Sequence, residues 1–528
     1  MIKLSVMKKI RISLFIVCIL SIFSCNKILD TTPQDFVTPT QYYKTERDLE
    51  SALAGIYDRL GDVRMYAQAM TSYLVFSDEF FMKGRTSGIL ANIIDASTLE
   101  INRHWESIYT GIERANMLLE NIDNAEVSDE KYNEVKGQAL FLRGYYYFML
   151  VDEFGEVPLK LASSKSPEEP PLPGSPIKEI YEQIVKDMTE AEGLVKSVSD
   201  YGYNTRITKT TVQGILARVY LTMAGSPLND VAKYTDAMIY AQKVIESNQH
   251  ALNPDFKQIF INHSQEVFDT QECLWEVEFH GTNQGEIEEG GMIGSYNGIS
   301  CSNIDTGWAY DYVHATLKLY EAYQNGDQRR DWTIAPFRFV TENDKLIRKP
   351  WTATQIYERH PGKWRREYEK TLPRTQFYTG TNWPLIRYSD VLLMYAEADN
   401  YANGGPSDEA YKMLNMVRRR AYGKNLEDED TTVDAPAGMS QYDFQLFIRD
   451  ERLREFAFEG LRKHDLIRWG IYVSTMEDQV RKYQAEMPND LKGPAVSQAQ
   501  RVTSRSVVFP IPNSERATNP HVKQNEGW

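Results

Sequence analysis

Apolar positions recur every three or four residues through much of this chain, and the most informative run is Phe444–Gly470. Phe444, Ile448, Glu451, Glu455, Phe458 and Arg462 share one stripe of a helix, while Leu446, Leu453, Ala457, Gly460 and Leu461 make a second apolar side. The run has no proline and closes on Gly470, so the spacing predicts one helix with a glycine cap. A helix apolar on two sides is buried. That places Glu451, Glu455 and Glu459 inside, paired with Arg452, Arg454, Arg462 or Arg468, because unpaired buried carboxylates cost too much. Paired acids could serve glycoside hydrolysis. Arginine neighbours, however, keep a carboxylate ionised and supply no proton donor, which favours an ion-pair lattice inside a scaffold.

The same periodicity predicts helices over Gln41–Leu60, Glu100–Ile122, Asp129–Phe154, Ile177–Val195, Thr210–Ala224 and Tyr234–Ser247. It returns over Trp383–Ala398, with Ser407–Ala421 as a partner helix. Small residues at Gly137 and Ala139, Gly214 and Ala217, and Ala396 and Ala398 are expected where helices cross closely. Helix pairs repeating at about 34 residues or more fit a mainly α, TPR-like helical-repeat scaffold of about four pairs, against a generic helical bundle. Between these runs the rhythm breaks. Residues 61–99 read as a loop-rich insertion, and residues 250–380 as an irregular region. In the latter, Leu274–Phe279 alternates like a strand and Gly281–Gly298 is an acidic, glycine-rich loop with Glu286, Glu288 and Glu289. Leu317–Tyr323 reads as a short helix, and Ser506–Pro512 as strand-like.

Charge narrows the function. The formal net charge is −15, which does not suit a nucleic-acid binder. Residues 1–24 carry Lys3, Lys8, Lys9 and Arg11 and no acid, followed by the apolar run Ile12–Phe23. That is the layout of a signal peptide, too short to span a bilayer. Ser24 before Cys25 resembles a relaxed bacterial lipobox, with Ile22 and Phe23 at the earlier positions. On that reading residues 1–24 are a lipoprotein signal, Cys25 is lipidated and tethers the chain to a membrane, and residues 25–37 are the tether. The alternative is plain secretion with an incidental cysteine. Cys273 and Cys301 are too few for a disulfide framework, paired or free. With eight histidines and no zinc-type spacing, neither a metal site nor a cofactor is expected.

Aromatic residues make up 12% of the chain, and Trp308, Trp332, Trp351 and Trp364 gather in its least helical part. Flat rings stack on sugars while polar neighbours take the hydroxyls. Each tryptophan could equally plug a small core beneath a long loop.

The lipobox-like start, Trp383–Ala398, Arg449–Trp469 and the tail Gln524-Asn-Glu-Gly-Trp528 together resemble the SusD/RagB family of outer-membrane nutrient-binding lipoproteins, as does Gly362-Lys-Trp-Arg-Arg366. The tail departs from the family's usual proline at Glu526. The resemblance covers essentially the whole chain. It implies one SusD-like domain over residues 38–528, with an N-terminal part at about 38–300 and a C-terminal part at about 301–528. It also implies a non-enzyme that caps a SusC-like TonB-dependent transporter and passes it oligosaccharides, or in some members peptides. The matched motifs are scaffold motifs, so ligand residues are chosen from loop position and chemistry. Trp308, Tyr310, Tyr312, Trp332 and Tyr296 are expected as stacking platforms, with Asp78, Glu79, Lys83, Arg85 and Asn303 as polar partners. Two other classes stand beside this reading, a glycosidase and a TPR scaffold that binds only proteins.

Overall fold

The computed structural model describes residues 42–166, 168–281 and 290–528. The signal peptide, Cys25, the tether and the acids Glu286, Glu288 and Glu289 lie outside the described residues. Helices Glu46–Tyr57, Leu99–Asn121, Asp129–Phe154, Ile177–Glu192, Lys209–Ala224, Lys233–Glu246, Tyr388–Ala402, Asp408–Ala421 and Gln441–Phe456 form an array in which each packs on its predecessor or near neighbour. This is the helical-repeat scaffold the periodicity predicts.

Helix starts follow the sequence. Thr45 and Asp48 make a reciprocal capping box, and Ser128, Thr208 and Ser407 each accept a hydrogen bond from a backbone N–H one turn on. Asp129–Phe154 is buried on nearly every side from Val135 onward, because it lies between two neighbouring helices. Its polar residues find partners there. Arg143 donates to both Asp187 carboxylate oxygens and to Asn116, and the Tyr146 hydroxyl donates to Ile56 O. A Cβ on Gly137 would meet the Leu194 side chain at 2.8 Å, as expected of a close crossing. Gly214 is also a close approach, but its neighbours are Ile386 and Leu274 on a two-stranded sheet rather than a helix.

That sheet corrects one expectation. Trp383–Arg387 is not helical; it pairs antiparallel with Cys273–Val277. Pro384 disfavours helical backbone at Trp383, and the helix begins only at Tyr388. A second correction concerns the run 444–470. Helix Gln441–Phe456 stops, Phe458 and Gly460 take positive φ, and a short helix Arg462–Arg468 follows. The turn lets Phe458 O accept from Trp364 Nε1, and Gly460 sits where a Cβ would lie 2.9 Å from Met70 O.

The acids in this run are buried and paired as the pattern requires, though mostly with arginines from elsewhere. Glu451 meets Arg329, Arg418 and Arg454; Glu455 meets Arg329, Arg387 and Arg420; Glu459 meets Lys363 and Arg387. These guanidinium groups overcome burial and hold Glu451 and Glu455 well below the usual carboxylate range. Arg452, Arg462 and Arg468 instead serve Asp390 with Asp465, Asp78, and Glu397 with Asp465.

Three further features were not expected. An exposed hairpin pairs Phe337–Glu342 with Lys345–Pro350 across Asn343-Asp344, both at positive φ, the requirement of a tight two-residue turn. Helices Tyr472–Glu486 and Asn489–Gln500 pack together and reach the small sheet Phe80–Met82/Val313–Ala315, where Gln498 bonds both the N–H and the O of Met82. Ser506–Pro512 joins no sheet; Ser504–Val507 is a 3-10 turn, and Phe509 N–H donates to Glu153 O. The closing tail clamps it. Gln524 brackets Ile511, Asn525 donates to Phe154 O and Phe509 O, and Trp528 Nε1 donates to Val508 O. Among the described residues no helix is long and apolar enough to cross a membrane.

Candidate functional site

The chain leaves the Cys301–Ala309 bridge, bends at Asp311 and enters the Phe80–Met82/Val313–Ala315 sheet, with Tyr312 O accepting from Lys83 N–H at 2.8 Å. The bend sets the Tyr310 and Tyr312 rings side by side and turns Asp311 toward His314 and His360. The two tyrosine rings stack 4.4 Å apart at 11°. Trp308 meets Tyr310 edge-on at 4.2 Å, and Tyr296 meets Tyr310 and Tyr312 at 4.9 and 5.7 Å. Phe377, 40% exposed, approaches Trp308 and Tyr310 at 6.4 and 6.3 Å. The Arg85 guanidinium covers Tyr312 at 3.8 Å from the ring centre. Four of the five expected aromatics, Tyr296, Trp308, Tyr310 and Tyr312, are half-buried and make one aromatic surface patch. Burial, with Tyr296 and Tyr312 adding to it, pushes the Tyr310 hydroxyl up to about 12, so it stays a neutral donor.

A buried arginine holds this patch from below. Gly307, at φ +115°, lies where a Cβ would be 2.3 Å from the Arg366 side chain. Arg366 donates to Trp308 O, Gln376 O, Thr375 O and Tyr378 O and pairs with Glu369. It thereby pins the loop carrying Trp308 to the loop carrying Phe377. Asn303 Oδ1 accepts from Thr306 N–H and shapes the turn into Trp308 rather than facing the patch rings. Arg366 lies in the Gly362–Arg366 motif, but its role depends on four backbone oxygens that no spacing reveals. Phe377 was missed because the aromatic pair Phe377-Tyr378 carries no periodic signal.

The other expected residues divide. Lys83 lies on the Asp311 side, 3.1 Å from Asp311 and 3.4 Å from Glu358. Asp78, Glu79 and Trp332 are scaffold, contrary to expectation. Asp78 is fully buried between Arg462 and Lys318, which overcome burial and hold it well below the usual range. Glu79 is buried beside it and accepts from Phe458 N–H; burial and the Asp78 charge push its carboxyl up to about 8. Trp332 is 5% exposed, with the Arg365 guanidinium 3.8 Å over its ring. Trp364 is likewise a buried plug, 4.7 Å from Trp383, and Trp351 lies beneath Arg338.

Two clusters have the composition of a metal site. His263, Cys273 and Glu276 are wholly enclosed; Glu276 is held by Asn204 and Asn382, and burial raises the Cys273 thiol far above its ordinary value. Asp311, His314 and His360 meet at the bend between Tyr310 and Tyr312.

Comparison with known proteins places this arrangement in context. A family model described as "SusD family" matches residues 208–528, and one described as "Starch-binding associating with outer membrane" matches residues 27–221. SusD-like protein P25 of Formosa agariphila is 23% identical, covering 98% of this chain and 99% of its own. A crystal structure of a SusD homolog from Bacteroides thetaiotaomicron superposes with a TM-score of 0.86 at 28% identity, covering 93% of this chain and 98% of that one. A laminarin-binding SusD-like protein superposes with a TM-score of 0.71 at 23% identity over 92% of this chain and 100% of that one.

Proposed function

The chain belongs to the SusD family, and from that premise we propose that it is a cell-surface glycan-binding lipoprotein. It captures oligosaccharide on the Trp308–Tyr310–Tyr312–Tyr296–Phe377 patch and passes it to a SusC-like TonB-dependent transporter. Lipidation at Cys25 would hold it on the outer membrane, with which the N-terminal family match is associated by description. The observation that carries the reading is the patch itself: half-buried Trp308, Tyr310, Tyr312 and Tyr296 clustered with the exposed Phe377 ring, and the Arg85 guanidinium over Tyr312. Such a surface suits the apolar face of a pyranose, with polar groups at its rim for the hydroxyls.

Laminarin and starch, named for relatives, make β- and α-glucans the first ligands to try. Affinity should be modest, since an exposed site that orders its ligand must also release it. The carboxylates weighed for hydrolysis do not favour an enzyme. Asp78 and Glu79 are buried, and Glu451 and Glu455 are locked among arginines.

The test is a binding panel of soluble polysaccharides and oligosaccharides against protein beginning after Cys25. Saturable binding to one glycan class, with no release of reducing sugar, is the expected result. Binding to peptides and to no glycan would replace the ligand in this reading, and steady hydrolysis would replace its class.

A further inference from the structure

Asp311, the residue between the stacked tyrosines, points away from them to two histidines. His314 Nε2 lies 2.7 Å and His360 Nε2 2.8 Å from the same oxygen, Asp311 Oδ1. His314 is fully buried in the strand Val313–Ala315, and its Nδ1 lies 3.0 Å from Tyr357 O. A carbonyl oxygen only accepts, so that contact fixes the proton on Nδ1. In its neutral form the ring turns its Nε2 lone pair toward a carboxylate oxygen, two acceptors face to face unless a second proton or a cation lies between them. A shared cation resolves the conflict. An Nδ1–H donated to a backbone carbonyl is also the outer bonding that orients a histidine to offer Nε2 to a metal. His360 is 4% exposed and its Nδ1 has no hydrogen-bond partner, so nothing prevents its Nε2 from presenting a lone pair as well.

We propose that Asp311, His314 and His360 form a binding site for one divalent transition cation of the zinc type. The donor set, two imidazoles and a carboxylate, suits zinc, cobalt or nickel rather than calcium or magnesium, which prefer all-oxygen shells. Three protein donors leave one tetrahedral position for water or a ligand atom. Donor atoms around tetrahedral zinc stand about 3.3 Å apart, so each gap must open by roughly half an ångström. Asp311 can move that far because its side chain is 46% exposed, and it carries the charge balance with Lys83 held on its other oxygen by Glu358. His360 comes from the segment after Tyr357, which is bonded to the sheet through Ala315 N–H to Arg359 O. A bound cation therefore fastens that segment to the strand bearing Tyr310 and Tyr312. This holds whatever the aromatic patch binds.

The experiment uses protein beginning after Cys25, without a polyhistidine tag, stripped with EDTA and dialysed. Zinc chloride is titrated by calorimetry, bound metal is counted by mass spectrometry, and cobalt is added to read visible bands. One zinc per chain, a raised Tm and the intense cobalt bands of a four-coordinate site are expected. Asp311→Asn and His360→Gln should each weaken zinc at least tenfold while matching the wild type's circular dichroism and its Tm in EDTA. Absence of zinc uptake by the wild type overturns the proposal. So does zinc binding that is unchanged in both variants, or calcium binding without zinc binding.

Discussion

At the residue scale, Glu79 is the most exposing test of the buried charge network. Burial and Asp78 raise its carboxyl to about 8 from an ordinary carboxylate value, so the folded state holds a proton that the unfolded state releases earlier. A raised folded pKa means stability is full below the unfolded value and is lost as pH climbs toward the folded one. Glu79→Gln keeps the shape and removes the titration. The variant should therefore gain on the wild type in Tm as pH rises from about 5 to about 8, and the gap should then level off. Melting curves across that range check it; a constant gap would mean Glu79 is ionised throughout. Asp78, its neighbour, answers with the opposite sign. Its depressed carboxyl contributes stability that disappears on acidification. Sequence reasoning could see both acids but not that they face inward, because the partners Arg462 and Lys318 lie hundreds of residues away.

The scale of elements explains what the sequence did and did not disclose. Helices with a one- or two-sided apolar pattern were legible to within a few residues, as Asp129–Phe154 shows. Trp383–Arg387 was not, because five apolar-rich residues before a helix have no period of their own and are decided by pairing with Cys273–Val277. The break at Phe458–Gly460 was hidden for a related reason. Its positive φ values are imposed by Trp364 and Met70, which the local pattern does not contain. Arg387 joins these pieces, since it reaches Glu272, Glu455 and Glu459 from the end of the sheet strand. Removing one partner of a buried ion pair costs about 3–5 kcal/mol, so Arg387→Leu should lower stability by at least that much in denaturant unfolding. A loss under 1 kcal/mol would show the lattice to be dispensable. The tail is a second element-scale case. Deleting residues 519–528 removes the Gln524 and Asn525 bonds to Ile511, Phe154 and Phe509, each worth about 1 kcal/mol, and should lower Tm without altering the patch.

For the whole molecule, the helical array is a back to which long loops are attached, and the proposed ligand surface is made where those loops meet. Tyr296, Trp308 and Tyr310 stand out in the sequence because they are aromatics in a non-helical region. Their assembly with Phe377, and the choice of Trp308 over Trp332, depend on loop packing around Arg366. Arg366→Ala should therefore weaken glycan binding although the side chain is 4% exposed and hidden beneath the patch. Arg366→Lys should rescue it only in part, since an ammonium cannot reproduce a planar fork reaching several carbonyls.

The proposal places bound glycan on this patch. The most direct measurement compares the affinity of wild type, Trp308→Ala/Tyr310→Ala and Trp351→Ala for the glycan that binds best. Losing the two rings should weaken binding by tenfold or more, about 1.4 kcal/mol or greater, while the hairpin-side Trp351 change leaves affinity and both leave Tm nearly as they were. Full affinity in the double variant, with its fold intact, would contradict the account and move the site elsewhere on the molecule.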